Sequence, residues 1–372
     1  MIRVPDPRGA GATPPRRVVI AGGGIAGIEA ALAVRAFTGG AASVVVVDPG
    51  RRFTIPGTAT ARAFGKDAGV DLPLAHVVRR AGATLLNGRV AAVDPERRLV
   101  TLDGGEVVTY DALVVAVGAR PVAAVPGALT FRGAADIDAV RGMAGDIGRR
   151  GRRGADVRLA VVVPPGCGWP LAAYELALLT REHLAARDPA DPVSISIVTS
   201  EEAPLGLFGP GPSATVMAKL ERARIHVRTG VTARSWTAGR LGLADGGSIW
   251  ADRVIALPVY RGPAIDGLPA DDEGFIPAAP DGRLPGAPGV WAVGDGTSNP
   301  VKQGGIACRQ ADAAAADIAA HLGTPVGDPP DGATGPAALA WPVAKVSGRF
   351  LAPFLRALVE ERSPTGPVGV PS

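Results

Sequence analysis

Short aliphatic runs alternate along the chain with alanine-rich stretches, and glycine or proline marks the passage from one to the other. Val18 to Ile20 and Val44 to Val47 are two such runs. Each is too short for a helix and rich in β-branched residues, so each predicts a buried strand. The apolar, alanine-rich stretch that follows Gly27 predicts a helix between them. Strands alternating with helices predict a parallel sheet with helices on its faces.

The pattern repeats at an offset of 141 or 142 residues. Arg17 to Ile20 is echoed by Arg158 to Val163, and each is followed by a turn and an alanine-rich helix carrying a glutamate, Glu29 or Glu175. Gly88 to Val90 is echoed by Thr229 to Val231, Asp103 to Gly105 by Asp245 to Gly247, and Asp111 to Val115 by Asp252 to Ile255. So long a period excludes a solenoid. It predicts two copies of one plan: strand, turn, helix, strand, a β-hairpin excursion and a closing strand.

The turn of the first copy reads Gly22-Gly23-Gly24-Ile25-Ala26-Gly27 and satisfies G-x-G-x-x-G. Gly22 makes the tight turn, Gly24 lets a pyrophosphate approach the backbone, and Gly27 lets the helix pack close to the strand. The helix N-terminus faces the phosphates with open N–H groups. Asp48 closes the second strand, 21 residues beyond Gly27, where a carboxylate takes the ribose hydroxyls. The alternative is a glycine-rich loop in a doubly wound sheet.

Near the other end, Gly289 to Asp295 forms a short strand ending in Gly-Asp. With the turn at 22–27, this resembles the flavoproteins of the pyridine nucleotide–disulfide oxidoreductase superfamily. The nearer likeness is to the branch of type II NADH dehydrogenases and sulfide:quinone oxidoreductases. The resemblance runs from about residue 17 to residue 322 and implies an α/β chain of two Rossmann-like, three-layer dinucleotide-binding domains. It implies a discontinuous FAD-binding domain at 17–122 and 268–322, a second, NAD-like domain at 123–267, and a linker with a short C-terminal helical tail at 323–372. FAD would be held by Gly22, Gly24, Gly27, Asp48, Val90, Gly118, Asp295, Lys302 and Gly304. Asp295 matches the family's ribityl-binding carboxylate. The segment from Pro300 to Gly305 matches the one whose helix faces the flavin pyrimidine ring. A helix N-terminus and Lys302 there would stabilise the negative charge of reduced flavin; the alternative for Lys302 is a solvated lysine.

The second copy departs from the fingerprint. Its turn runs from Pro164 to Glu175, and neither alignment of it keeps three glycines. Prolines 164, 165 and 170 have no N–H to offer a phosphate, and Trp169 adds bulk. An ordinary NAD(P)H site is therefore not expected, and Glu201 is a weak candidate for a ribose acid beside Glu202. The sulfide:quinone branch also departs here and carries a redox cysteine near this loop, as Cys167 stands. Its partner cysteine is missing before Lys302, and Cys308 follows instead. A Cys167–Cys308 redox pair is one reading. The other is two small buried residues.

The resemblance thus implies an FAD-dependent oxidoreductase passing electrons from NAD(P)H in an altered mode, or from a sulfur compound, to a quinone or a soluble acceptor. A non-enzymatic FAD-bound regulatory protein is the alternative. Composition narrows the rest. With 47% hydrophobic and 20% charged residues the chain can build a core, and 51 glycines with 35 prolines predict a turn-rich scaffold. A net charge of +4 without clustering does not suggest a nucleic-acid partner. Two cysteines cannot form a disulfide framework, which favours the cytoplasm, and the four scattered histidines predict no metal site. Arg16-Arg17 resembles a twin-arginine signal, but Glu29 and the glycine turn read against export. Residues 1–16 read as a disordered tail. In the tail at 337–360, Trp341, Val346, Phe350, Phe354, Leu355 and Leu358 recur at near-helical spacing, with Pro353 expected to split the helix. That stripe fits peripheral contact with the inner face of a membrane, or else it closes the core or forms a homodimer face.

Overall fold

A computed structural model describes residues 15–66, 69–188, 192–324 and 348–361. Two five-stranded sheets, parallel throughout, carry the molecule. The first has the order Val290–Ala292, Ala112–Val115, Arg17–Ala21, Ser43–Val47, Thr84–Leu86. The second has the order Leu129–Thr130, Arg253–Ala256, Arg158–Val163, Ser194–Thr199, Ile225–Arg228. The two sheets share one plan, as the repeat predicts. They differ in the edge strand, which follows the second copy along the chain in one sheet and precedes it in the other.

Each sheet is buried on both faces, which is why its strands read as continuous aliphatic runs. Helices Ile25–Phe37 and Gly304–His321 pack together on one face of the first sheet, and an antiparallel meander (Val90–Asp94, Leu99–Leu102, Val107–Thr109) covers the other. The second sheet repeats this with helices Ile137–Arg152, Leu171–Ala185 and Pro210–Arg222 on one face and the meander Ala233–Thr237, Arg240–Leu243, Ser248–Trp250 on the other. Between the folds the chain crosses twice, and the crossing strands Arg120–Val122 and Val259–Arg261 pair antiparallel.

The ends differ in part from expectation. Residues 1–14 lie outside the described residues, but Arg16 is held by Asp111 at 3.2 Å. Of the tail, Trp341, Lys345 and Val346 also lie outside them. Helix Leu351–Glu360 is continuous. Pro353 does not split it, because it sits in the first turn, where an amide has no intrahelical partner to lose. Leu351, Leu355 and Leu358 are buried in the core of the first fold, and Phe350 meets Phe37 edge-on at 5.9 Å. The leucine side of this helix is therefore spent on the core, while Val359 on its other side stays exposed. Among the described residues no helix is long and apolar enough to cross one.

Candidate functional site

The glycine turn shows three different steric demands. A Cβ on Gly22 would lie 2.3 Å from the Ala116 carbonyl oxygen, and its φ is +109°. A Cβ on Gly27 would lie 1.8 Å from the Gly22 carbonyl oxygen. Gly24 meets nothing within 4 Å. The first two glycines are thus required by the fold itself. The third faces open space at the N-terminus of helix Ile25–Phe37, which has no side-chain cap. Asp48 stands beside it, accepting from Gly23 N at 2.7 Å and Gly50 N at 2.6 Å. The strand bearing Val90 lies next in line, since Gly88 N donates to the Asp48 carbonyl at 3.4 Å. Val90 itself is buried in the core.

A second centre forms around Gly294 and Asp295. A Cβ on Gly294 would touch Ala26 at 3.0 Å and Ala307 at 3.7 Å, so the first turns of the two long helices converge here. Gln310 fixes Gly294 by accepting its N–H at 2.8 Å. The Gly118 carbonyl approaches Gly296 closely, 2.9 Å from where a Cβ would stand. Asp295 is largely buried, and among the described residues its carboxylate accepts no hydrogen bond. Burial raises its pKa, and Lys302 opposes that rise. Gln303 caps helix Gly304–His321 by accepting from Ile306 N at 2.8 Å, which leaves the amides of Gly304 and Gly305 open.

Lys302 is neither solvated nor free to reach outward. It is 8% exposed, and its ammonium donates to the Thr297 carbonyl at 2.8 Å and the Asn299 carbonyl at 2.6 Å, over the Phe275 ring at 3.9 Å. Its role is that of a fixed internal charge, with burial lowering its pKa against the pull of Asp295.

The seam between the folds closes on Gly168. Its carbonyl accepts from Lys302 N at 3.1 Å. A Cβ there would lie 2.6 Å from Lys302 Cγ and 3.5 Å from Tyr260 Cδ2. Burial pushes the Tyr260 phenol up to about 12, with Asp295 and Cys167 adding to the rise. Sequence reasoning missed Tyr260, which belongs to no motif and comes to the seam through its crossing strand.

The second copy's turn is filled from within. Trp169 packs edge-on against Phe208 at 5.2 Å. Glu201, at the place of a ribose acid, accepts from Tyr174 Oη, from Thr199 Oγ1 at 2.9 Å and from Leu205 N at 3.0 Å.

The cysteines are not brought together. Both are free and buried. Cys167 packs in the core of the second fold and Cys308 in that of the first, beside Gly348 and Glu29. Burial foremost, then the Glu201 charge, pushes the Cys167 thiol up to about 12, and burial also raises Cys308. The helix N-terminus does not activate Cys308, because the thiol faces a hydrophobic core and two carboxyls. Among the described residues no group of three or more His, Cys, Asp or Glu is placed to hold a metal.

A model of the family "pyridine nucleotide-disulphide oxidoreductase" matches residues 16–315. Among solved structures, the chain is similar to the sulfide:quinone oxidoreductase of the hyperthermophilic bacterium Aquifex aeolicus, with 20% identity, a TM-score of 0.72, and coverage of 82% of this chain and 76% of that one. It is similar to putidaredoxin reductase in its covalent complex with putidaredoxin, with 22% identity, a TM-score of 0.63, and coverage of 84% and 77%. It is also similar to Plasmodium falciparum NDH2 in complex with NADH, with 16% identity, a TM-score of 0.60, and coverage of 76% and 64%. No curated protein matches significantly.

Proposed function

The chain belongs to the pyridine nucleotide-disulphide oxidoreductase family, and from that premise we propose that it holds FAD in its first nucleotide fold and takes electrons from a donor other than conventionally bound NAD(P)H. It is an oxidoreductase of the FAD-dependent kind that makes up the family. The proposed domains are those of the sequence reading, 17–122 with 268–322 for FAD and 123–267 for the second fold.

The residues fit FAD. Asp48 would accept from the ribose hydroxyls with the lone pairs that Gly23 and Gly50 leave free. The open turn at Gly24 and the uncapped helix start would take the pyrophosphate. Asp295, partly exposed and without a protein hydrogen-bond donor among the described residues, would accept from a ribityl hydroxyl. The open amides of Gly304 and Gly305 would favour negative charge at the flavin edge, with Lys302 as a fixed positive charge behind them. Bound FAD supplies two-electron acceptance from one partner and one- or two-electron delivery to another.

The second fold does not fit NAD(P)H in the family's usual mode. The observation that carries this is Glu201, whose carboxylate already holds three protein donors. The prolines at 164, 165 and 170 support it. The donor we propose is a small molecule that reaches the seam of Gly168, Tyr260 and Lys302 directly. Sulfide is the first to test, since one structural neighbour is a sulfide:quinone oxidoreductase. The acceptor would be a quinone or a soluble carrier.

An anaerobic visible titration tests both halves. The purified protein should show a flavin spectrum, and sulfide should bleach it where micromolar NADH or NADPH does not. Absence of flavin would overturn the first half. Rapid bleaching by NADH, or none by sulfide, would overturn the second. Cys167→Ser then separates a thiol relay, which it would abolish, from direct reduction, which it would leave.

A further inference from the structure

Away from the seam with Lys302, a surface cleft of about 450 Å³ lies between helix Ile137–Arg152, the end of helix Leu171–Ala185 and the Ala63 to Gly65 turn of the first fold. That volume falls within the usual range of small-molecule sites. Its floor is apolar, made by Phe64, Ala144 and Leu184 with Gly145 and Gly148. Its charged lining consists of Arg141, Arg149, Arg152 and Arg187, with His183 beside them and no acid among the lining residues.

The arginines point over this floor. Arg149 Nη1 and Arg152 Nη1 each lie 3.5 Å from where a Cβ on Gly145 or Gly148 would stand. The glycines therefore make room for the guanidinium groups above them. Nearby acids neutralise the arginines only in part. Asp138 pairs with Arg141 at 2.8 Å out in solvent, and Glu182 pairs with Lys66. Asp146 is held by Arg253 at 2.7 Å and reaches Arg149 only at 3.7 Å. The Arg152 guanidinium makes no hydrogen bond or ion pair among the described residues. Among the described residues the Arg187 guanidinium donates to the His183 carbonyl alone, at 3.0 Å. Guanidinium groups gathered in excess over acids are a ready match for a phosphate or carboxylate, which they bind through paired N–H donors.

We propose that this cleft binds a small phosphate ester, its anion on Arg149, Arg152 and Arg187 and its apolar body on Phe64, Ala144 and Leu184. Burial and the neighbouring Arg187 lower the His183 pKa. Its imidazole is thereby kept neutral near pH 7, so it adds a donor or acceptor without more charge. Arg141 already ties the folds, donating to the Arg62 and Ala63 carbonyls at 3.2 and 3.3 Å. A ligand here would span the same junction and hold the two folds in one relative position.

Calorimetry on the flavin-loaded protein, with inorganic phosphate and phenyl phosphate as probes, tests the assignment. Both should bind saturably, phenyl phosphate about tenfold tighter because the floor takes its ring. If phosphate binds as well as the ester, the apolar half of the proposal fails. The exposed pair Arg152→Glu with Arg187→Glu should weaken both probes by about tenfold or more and leave the flavin spectrum unchanged. Gly145→Leu keeps every arginine, fills the floor, and should weaken phenyl phosphate far more than phosphate. Absence of saturable binding, or equal affinity in the arginine variant, overturns the proposal. Since the variants lie outside the Gly22–Gly27 turn, anion binding at an empty flavin site would survive them and be told apart.

Discussion

Glu29 and Asp312 should make the fold less stable as the solution becomes more alkaline. Glu29 is fully buried on the first helix and accepts from Phe350 N at 3.0 Å and Leu351 N at 2.5 Å. Those amides open helix Leu351–Glu360, so a carboxylate more than three hundred residues away in sequence caps it. Asp312, on helix Gly304–His321, is hydrogen-bonded to Glu29, and its Oδ1 is buried without a partner. Two carboxyls in one buried site cannot both ionise cheaply. Burial first, then the Glu29 charge, pushes Asp312 up to about 8, with Arg349 as the opposing cation. Burial raises Glu29 as well, against the amides that favour its charged form. Cys308 also faces the pair, with Arg309 near the thiol.

The sign follows from proton linkage. Asp312 starts from 3.8 in the unfolded chain and ends at about 8 in the fold. Between those values the folded state holds a proton that the unfolded state has released. The contribution of Asp312 to stability is therefore complete below about pH 4 and falls through the window by about 1.4 kcal/mol per pH unit. The ceiling over the whole window is roughly 6 kcal/mol, and partial exposure of Asp312 lowers it. Asp312→Asn keeps a donor to Glu29 without the titration, so it should flatten the slope. Urea unfolding from pH 5 to 8 reads the difference between the two proteins, and hydrogen exchange at Phe350 and Leu351 reads the cap locally. Equal slopes would refute the reasoning.

Three further outcomes are expected. Gly24→Ala should leave the flavin-free protein within about 0.5 kcal/mol of its stability while weakening FAD by tenfold or more, whereas Gly27→Ala should disrupt the turn itself, as melting and flavin titration will show. Asp295→Asn should leave the flavin-free protein within about 0.5 kcal/mol of its stability, since the burial cost of the carboxylate and the pull of Lys302 are lost together, yet lower flavin affinity; parallel losses in both measurements would contradict it. Tyr174→Phe should cost about 1–2 kcal/mol by taking a donor from Glu201, and a loss below about 0.3 kcal/mol in chemical unfolding would show that this contact carries little.

Much of the scaffold was legible because its signals are local. The aliphatic runs became the strands of two doubly covered sheets, and Gly22 and Gly27 leave no room for a side chain, as their places in the turn predict. What escaped depends on pairing across the chain. Tyr260 reaches the seam only because Val259–Arg261 pairs with Arg120–Val122. The sequence allows Lys302 to face either flavin or solvent, yet its ammonium turns back onto two carbonyls of its own loop. Cys167 and Cys308 lie near the right motifs in sequence, but a helix has several faces, and Cys308 occupies the one turned to Glu29 and Gly348. The Glu29 cap could not be foreseen, because its partner helix arrives from beyond residue 348.

The duplicated plan makes the divergence of its halves chemically specific. Each copy keeps a buried glutamate on its first helix, and each uses it to fasten a segment from elsewhere. Glu29 receives the C-terminal helix, and Glu175 accepts from Thr60 at 2.6 Å on helix Ala59–Ala63 of the other fold. The acids after the second strands have parted. Asp48 accepts two backbone amides and retains lone pairs for a ligand. Glu201 accepts a phenol, a hydroxyl and an amide, which leaves one lone pair, so a ribose offering two hydroxyls would have to displace a donor that the fold itself supplies. Tyr174 is the residue that does this, and its ring is fully buried. Removing its hydroxyl alone would free a lone pair without restoring amides to the prolines of the turn. Loss of the usual nucleotide mode therefore rests on two independent features, and no single substitution at Tyr174 should bring it back.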